Sequence, residues 1–101
     1  DKIIVRELVF RPKAVEDLRR IYLFIAEDNA GRAMTFIEEI EARCRSLLDF
    51  PEQGRARDDI RPGARFLPFG RTVVIAYAVG KAEITVMRVF YGGQDTAILT
   101  E

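Results

Sequence analysis

The side chains able to do chemistry in this sequence are mostly arginines. Between residues 54 and 71 stand Arg55, Arg57, Arg61, Arg65 and Arg71, opposed within that stretch only by Asp58 and Asp59. The whole chain has 16 basic and 16 acidic residues and a net charge of zero, so this is a local excess, and it sets the segment apart from a chain that grips nucleic acid through bulk positive charge. Guanidinium groups bind carboxylates and phosphates through a two-pronged fork, which makes an anion the natural target of such a cluster. Arg88 is a sharper case. It lies in the otherwise apolar run ITVMRVFY, and alternation puts it on the parity of Ile84 and Val86. It is either a strand-end side chain reaching back to water or a contact for an anion at the mouth of a sheet.

The sequence contains no histidine, which removes the commonest general base and every imidazole-based triad. Tyr91 could move a proton, but such chemistry needs an acid, a base and a cation within hydrogen-bond reach. Arg88 and Tyr91 are three positions apart, so strict alternation sends them to opposite faces unless a bulge or Gly92-Gly93 bends the strand end. Cys44, the single cysteine, falls on an apolar helical stripe and reads as a buried structural thiol. Glu38, Glu39 and Glu41 form the polar side of a helix, with no converging partners that would make a metal site. Neither a metal nor a cofactor is expected.

Regular elements must hold these residues. The β-branched run at 3–10 predicts a strand, and Pro12 suits the first turn of a helix. Ala14, Leu18, Ile21 and Ile25, widened by Val15 and Tyr22, make the apolar stripe of a helix reaching about Asp28. Asn29 can cap a second helix whose stripe is Ala33, Phe36/Ile37, Ile40, Cys44 and Leu47, and Pro51 ends it. The stretch 51–63 reads as a loop. Strands follow at 65–68, 71–79 and 83–91, with turns at Phe69-Gly70 and Gly80-Lys81. The expected architecture is α+β. An N-terminal strand leads to an antiparallel helical hairpin and then to a three-stranded antiparallel meander, with the helices on one sheet face and one domain over residues 1–101. Val73, Ile75, Tyr77 and Val79 would join Ile84 and Val86 beneath the helices. Thr72, Val74, Ala76 and Ala78, with Thr85, Met87 and Val89, would form a second face that is small but still apolar, and so suited to a partner. No apolar run approaches the ~20 residues of a membrane span and no signal peptide opens the chain, so a cytoplasmic protein without membrane partners is expected.

Four stretches together resemble the ParE/RelE toxins of bacterial type II toxin–antitoxin pairs. They are RPKAVEDLRRIYLFI (11–25), AGRAMTFIEEIEARCRSLLDFPEQGR (30–55), GRTVVIAYAV (70–79) and ITVMRVFYGGQD (84–95). The likeness covers nearly the whole chain, in order and with short gaps, and is closest to the ParE branch. Three positions depart from the family's habit. Arg11 stands where a serine often caps the first helix, Ala30 follows Asn29 where proline is frequent, and Tyr91-Gly92-Gly93-Gln94-Asp95 replaces a basic ending.

The resemblance implies a toxin that inhibits DNA gyrase by complex formation and serves plasmid stabilisation. It also implies a cognate ParD-like antitoxin whose disordered tail folds on binding, and no sequence-specific DNA binding by this chain alone. Arg55, Arg57, Arg61, Arg65, Arg71 and Arg88 become candidates for target or anion contact, and Val74, Ala76, Met87 and Val89 for antitoxin contact. The alternative the family offers is a RelE-like, metal-independent mRNA endoribonuclease, with Arg55, Arg71, Arg88 and Tyr91 as catalytic candidates. A member retaining only antitoxin binding is a third possibility.

Overall fold

The first helix starts because Pro12 cannot donate a backbone N–H where none is needed. Arg11 precedes it in extended conformation and supplies no side-chain cap. In the computed structural model, which describes residues 5–92, α1 runs Pro12–Ala26 and buries Ala14, Asp17, Leu18 and Ile21. Asn29 Oδ1 accepts the Arg32 N–H at 2.9 Å and opens α2, Ala30–Ser46, as its residue type predicts. Arg43 and Arg45 in the last turn of α2 complement its dipole. Ala33, Ile40 and Cys44 are the buried positions of α2, and Leu47 beyond it is buried as well.

The strands are β1 Glu7–Phe10, β2 Arg55–Ala56, β3 Ala64–Phe69, β4 Val73–Val79 and β5 Glu83–Tyr91. They form one five-stranded sheet in the order β1-β5-β4-β3-β2, with β1 parallel to β5 and the other pairs antiparallel. The expected α+β architecture is therefore present, and the meander is extended by a strand on each side. β2 lies in the stretch expected to be loop. Two residues are too few for a periodicity, and their pairing depends on Gly54. A Cβ at Gly54 would come within 2.9 Å of both the Phe66 carbonyl oxygen and the Tyr77 ring. The Gly54 N–H donates to Tyr77 Oη (2.8 Å), and that hydroxyl donates to the Pro51 carbonyl (2.7 Å). A tyrosine from the middle of the sheet thus pins the chain as it leaves α2. The first strand is shorter than expected and begins at Glu7; positions 3 and 4 of that expectation lie outside the described residues.

Three further expectations are corrected by the backbone. β4 begins at Val73 rather than at 71, because Gly70, with φ of 63°, opens a turn that takes in Arg71 and Thr72. The last hairpin turns around Lys81 and Ala82, one residue later than Gly80-Lys81, since Val79 pairs with Ile84. That moves the register by two residues and leaves the parity intact. The third correction changes the faces. Tyr77 pairs with Val86 but Ala76 pairs with Arg88, so Met87 is an extra residue, a bulge in β5. Beyond it the parity reverses. Val89, expected on the outer face, is 2% exposed within the core, and Arg88 leaves the parity of Ile84 and Val86.

The core lies between the helices and one face of the sheet. Leu18, Ile21, Ile40 and Leu47 pack on Val73, Ile75, Tyr77, Ile84, Val86 and Val89. Each fully buried aliphatic side chain contributes about 1.5–3 kcal/mol of burial free energy. The opposite face carries no second layer among the described residues.

Candidate functional site

The register of the sheet brings together residues far apart in sequence. Arg55 pairs with Phe66, Phe66 with Ala76, and Ala76 with Arg88. These four therefore form one row across β2, β3, β4 and β5 on the face away from the helices. Arg57 follows Arg55 with the same parity, and its guanidinium carbon sits 4.8 Å from the centre of the Phe66 ring. Arg61, on the loop from β2 to β3, reaches back over the sheet to place Nη1 3.7 Å from Met87 Sδ. Four of the six candidate anion-binding arginines thus start from or reach over the outer face, although the Arg88 guanidinium is held at the free edge of β5 by Asp17 of α1. The other two do not. Arg65 has the helix-side parity and donates to the Gly54 carbonyl at 2.6 Å, while Arg71 is exposed in the β3–β4 turn.

The convergent arginines differ in how they are engaged. Arg57 is paired through two 3.0 Å hydrogen bonds with Asp59, which raise the guanidinium's pKa and lower that of the carboxyl. Arg88 makes a bidentate pair with Asp17 of α1 at 2.8 and 2.9 Å, and the hydrogen bond raises its pKa. Its guanidinium also lies 5.1 Å from the Phe90 ring centre. Asp17 accepts a third hydrogen bond from the Val89 N–H at 2.9 Å. This is the edge of β5 that β1 no longer covers, since β1 ends at Phe10 opposite Val86. The carboxylate therefore takes the place of a missing strand. Arg55 and Arg61 have no carboxylate within 4.0 Å among the described residues.

The floor between these cations is apolar. Val74 and Met87 are half-buried on the outer face, and Ala76 is nearly covered by its neighbours. Three of the four residues expected to meet a partner therefore share the face with the arginines. Val89, turned inward by the bulge, does not.

The four catalytic candidates are not brought together. Arg55 and Arg88 stand at opposite ends of the outer row, and Arg71 lies in a turn. Tyr91 pairs with Val73 on the helix side, where it packs edge-on to Phe24 (centroids 5.7 Å apart) and against Phe36 (6.0 Å). It lines an open cleft of about 700 Å³ with Phe24, Phe36, Thr72 and Arg32. The bulge precedes both Arg88 and Tyr91, so their opposition survives.

Cys44 is buried, and its thiol is pushed up to about 12 by loss of solvent and then by Glu41, which makes it a poor nucleophile. Among the described residues no three His, Cys, Asp or Glu side chains are placed to hold a metal, and no helix is long and apolar enough to cross a membrane.

Asp17 and the Tyr77 hydroxyl escaped the residue-level reading. Asp17 did leave a trace, a carboxylate set into the apolar stripe of α1 that calls for a cationic partner. Nothing local in sequence points Tyr77 to Pro51 and Gly54.

Comparison with known proteins agrees with this framework. The family model for the ParE toxin of type II toxin–antitoxin systems, parDE, matches residues 8–96. Toxin ParE3 of Caulobacter vibrioides is 30% identical over 91 residues, 88% of this chain and 90% of that protein. Among solved structures, the chromosomal ParDE toxin–antitoxin system of P. aeruginosa superposes with a TM-score of 0.74 at 24% identity, over 88% of this chain and 98% of the other. The YoeB dimer of Staphylococcus aureus gives 0.58 at 14% identity, covering 85% and 95%. These two structural likenesses establish the fold, and the match of the family model over residues 8–96 establishes more: the chain belongs to the ParE toxin family of type II toxin–antitoxin systems.

Proposed function

We propose that this toxin acts in the cytoplasm by forming an inhibitory complex with DNA gyrase, stalling the cleaved DNA intermediate. A cognate ParD-like antitoxin would neutralise it with a disordered tail that folds on the toxin surface. The observation that carries the choice of a binding protein over a nuclease is the separation of the catalytic candidates. Cleavage through a ribose 2′-hydroxyl needs a base, an acid and a cation around one phosphate. Tyr91 is on the helix side among aromatic rings, Arg88 is held at the free edge of β5 in a bidentate pair with Asp17 of α1, and Arg55 is three strands from Arg88. The absence of histidine points the same way.

An unpartnered sheet face with an apolar floor and cationic posts supports the antitoxin half of the proposal. A disordered acidic tail could bury that floor and pair the guanidinium groups, the ordering cost being offset by the buried surface. Carriage on a plasmid would make such a pair a stabilisation system, with the short-lived antitoxin replenished only in cells that keep the DNA.

The discriminating experiment is induction of the toxin in cells, followed by parallel assays of gyrase-linked DNA breaks and of mRNA ends. Accumulated protein-linked breaks with intact messages fit the proposal. Rapid appearance of new mRNA 5′ ends without DNA breaks would reject it in favour of the RelE-like endoribonuclease.

A further inference from the structure

The cleft lined by Tyr91 lies on the helix side of the sheet, away from the arginines of the outer face, and its chemistry is different. The end of α1 contributes Phe24 and, one turn further on, Glu27 and Asp28. The start of α2 contributes Arg32 and, one turn further on, Phe36. Spacings of three and four residues put each set on one helix face, and Tyr91 and Thr72 close the cleft from the sheet end. The rings meet steeply, Phe24 at 68° and Phe36 at 58° to Tyr91. They stand as walls rather than as stacked layers, and Phe24 is 44% exposed. The enclosed space of about 700 Å³ is of the size that takes a small molecule.

We propose that this cleft binds a small organic cation, an alkylammonium or alkylguanidinium ion, with its head group against Phe24 and Tyr91 and its N–H donors on the Glu27 and Asp28 carboxylates. The faces of aromatic rings attract such cations, and rings set at steep angles are the form in which they cage one. Neither carboxylate has a basic group within 4.0 Å among the described residues, and Arg32, which shares the cleft, is paired with neither. Two acids against one base leave the cleft negative. The hydroxyls of Tyr91 and Thr72 add acceptors for a donor-rich ligand. The same aromatic cluster already takes a cation at its other end. The Arg43 guanidinium carbon lies 5.4 Å from the centre of the Phe69 ring, which packs on Phe36 at 6.3 Å. Among the described residues no cation lies over Phe24, Phe36 or Tyr91. An anionic ligand fits less well, since it would meet two carboxylates for one guanidinium.

The test titrates isotope-labelled full-length toxin with three small probes and follows it by NMR. Butylguanidinium is the cation, butylurea has its shape without the charge, and butyrate carries the opposite charge. Butylguanidinium should saturate in the millimolar range, with shifts centred on Phe24, Phe36 and Tyr91. Butylurea should bind about fivefold more weakly, as expected for a lost cation–π contact and a lost exposed ion pair, and butyrate should not bind. The double change Glu27→Gln with Asp28→Asn, both at exposed positions, should weaken butylguanidinium about threefold, and Arg32→Gln should tighten it about twofold by removing a like charge. Phe24→Leu should weaken it about threefold. Equal binding of butylurea would overturn the inference, as would indifference to the loss of both carboxylates or weaker binding in Arg32→Gln. Absence of saturable shifts around the cleft would also overturn it. Tighter binding of a capped Gly-Arg-Gly peptide than of butylguanidinium would reject a small-molecule site in favour of a protein side chain. None of these outcomes depends on gyrase, so the cleft and the proposed target stand or fall separately.

Discussion

Arg88 and Asp17 are separated by 71 positions, yet the fold brings them together. Replacing Arg88 by methionine keeps most of the packing volume and removes the fork. The Asp17 side chain, 8% exposed, would keep only its bond from the Val89 N–H. Breaking a buried ion pair from one side costs about 3–5 kcal/mol. The Arg88 side chain is 31% exposed, so water offsets part of that, and about 2–3 kcal/mol is the expected loss. In a domain of this size the midpoint of thermal unfolding should fall by about 10–20 °C. Asp17→Asn removes the charge but keeps an oxygen for the Val89 N–H, so it should cost only about 1 kcal/mol. The informative comparison is the double variant. Once Asp17 is neutralised, the Arg88→Met background no longer buries a lone carboxylate, and Asp17→Asn should recover stability in it. Urea melts of the four proteins give the coupling, which should be at least about 1 kcal/mol. Additivity to within about 0.5 kcal/mol, or an Arg88→Met loss smaller than that, would refute the structural role assigned to the pair.

Tyr77→Phe should lose about 1–2 kcal/mol, because the Gly54 N–H and the Pro51 carbonyl are left without their partner, and Gly54→Ala should cost about as much through its 2.9 Å clashes; urea denaturation measures both. Burial of the Cys44 thiol predicts that labelling by an aromatic disulfide at pH 8 proceeds only as fast as the protein opens. Because its folded pKa of about 12 lies above the unfolded value, the associated stability is intact below about pH 8.5 and declines as pH rises towards 12. Fast labelling of native protein at pH 8 would contradict this. Tyr91→Phe keeps the ring between Phe24 and Phe36 and removes only the hydroxyl, so growth inhibition in cells should be unchanged if no proton moves through it.

Much of the architecture is legible in the sequence because it is written in periodicity. The stripes of α1 and α2, the cap at Asn29 and the alternation of β4 each depend on neighbours within a few residues. What is not legible depends on distant partners. The two residues of β2 have no pattern of their own and pair because Gly54 admits the Tyr77 ring. The bulge at Met87 cannot be read from an apolar run that alternates well on either side of it, yet it moves Val89 into the core and Arg88 out. The site follows the same division. Arginines as the chemically notable residues are evident from composition, whereas their sorting into four on the outer face, one tied to Gly54 and one in a turn follows from register. A charge set into each of two apolar elements, Asp17 and Arg88, is the one long-range contact that residue types alone foreshadow.

The measurement closest to the central claim is supercoiling by purified DNA gyrase with increasing amounts of this toxin. The proposed function predicts loss of supercoiling with accumulation of cleaved DNA, relieved when the cognate antitoxin is added. Full supercoiling at saturating toxin would contradict it and remove gyrase as the target.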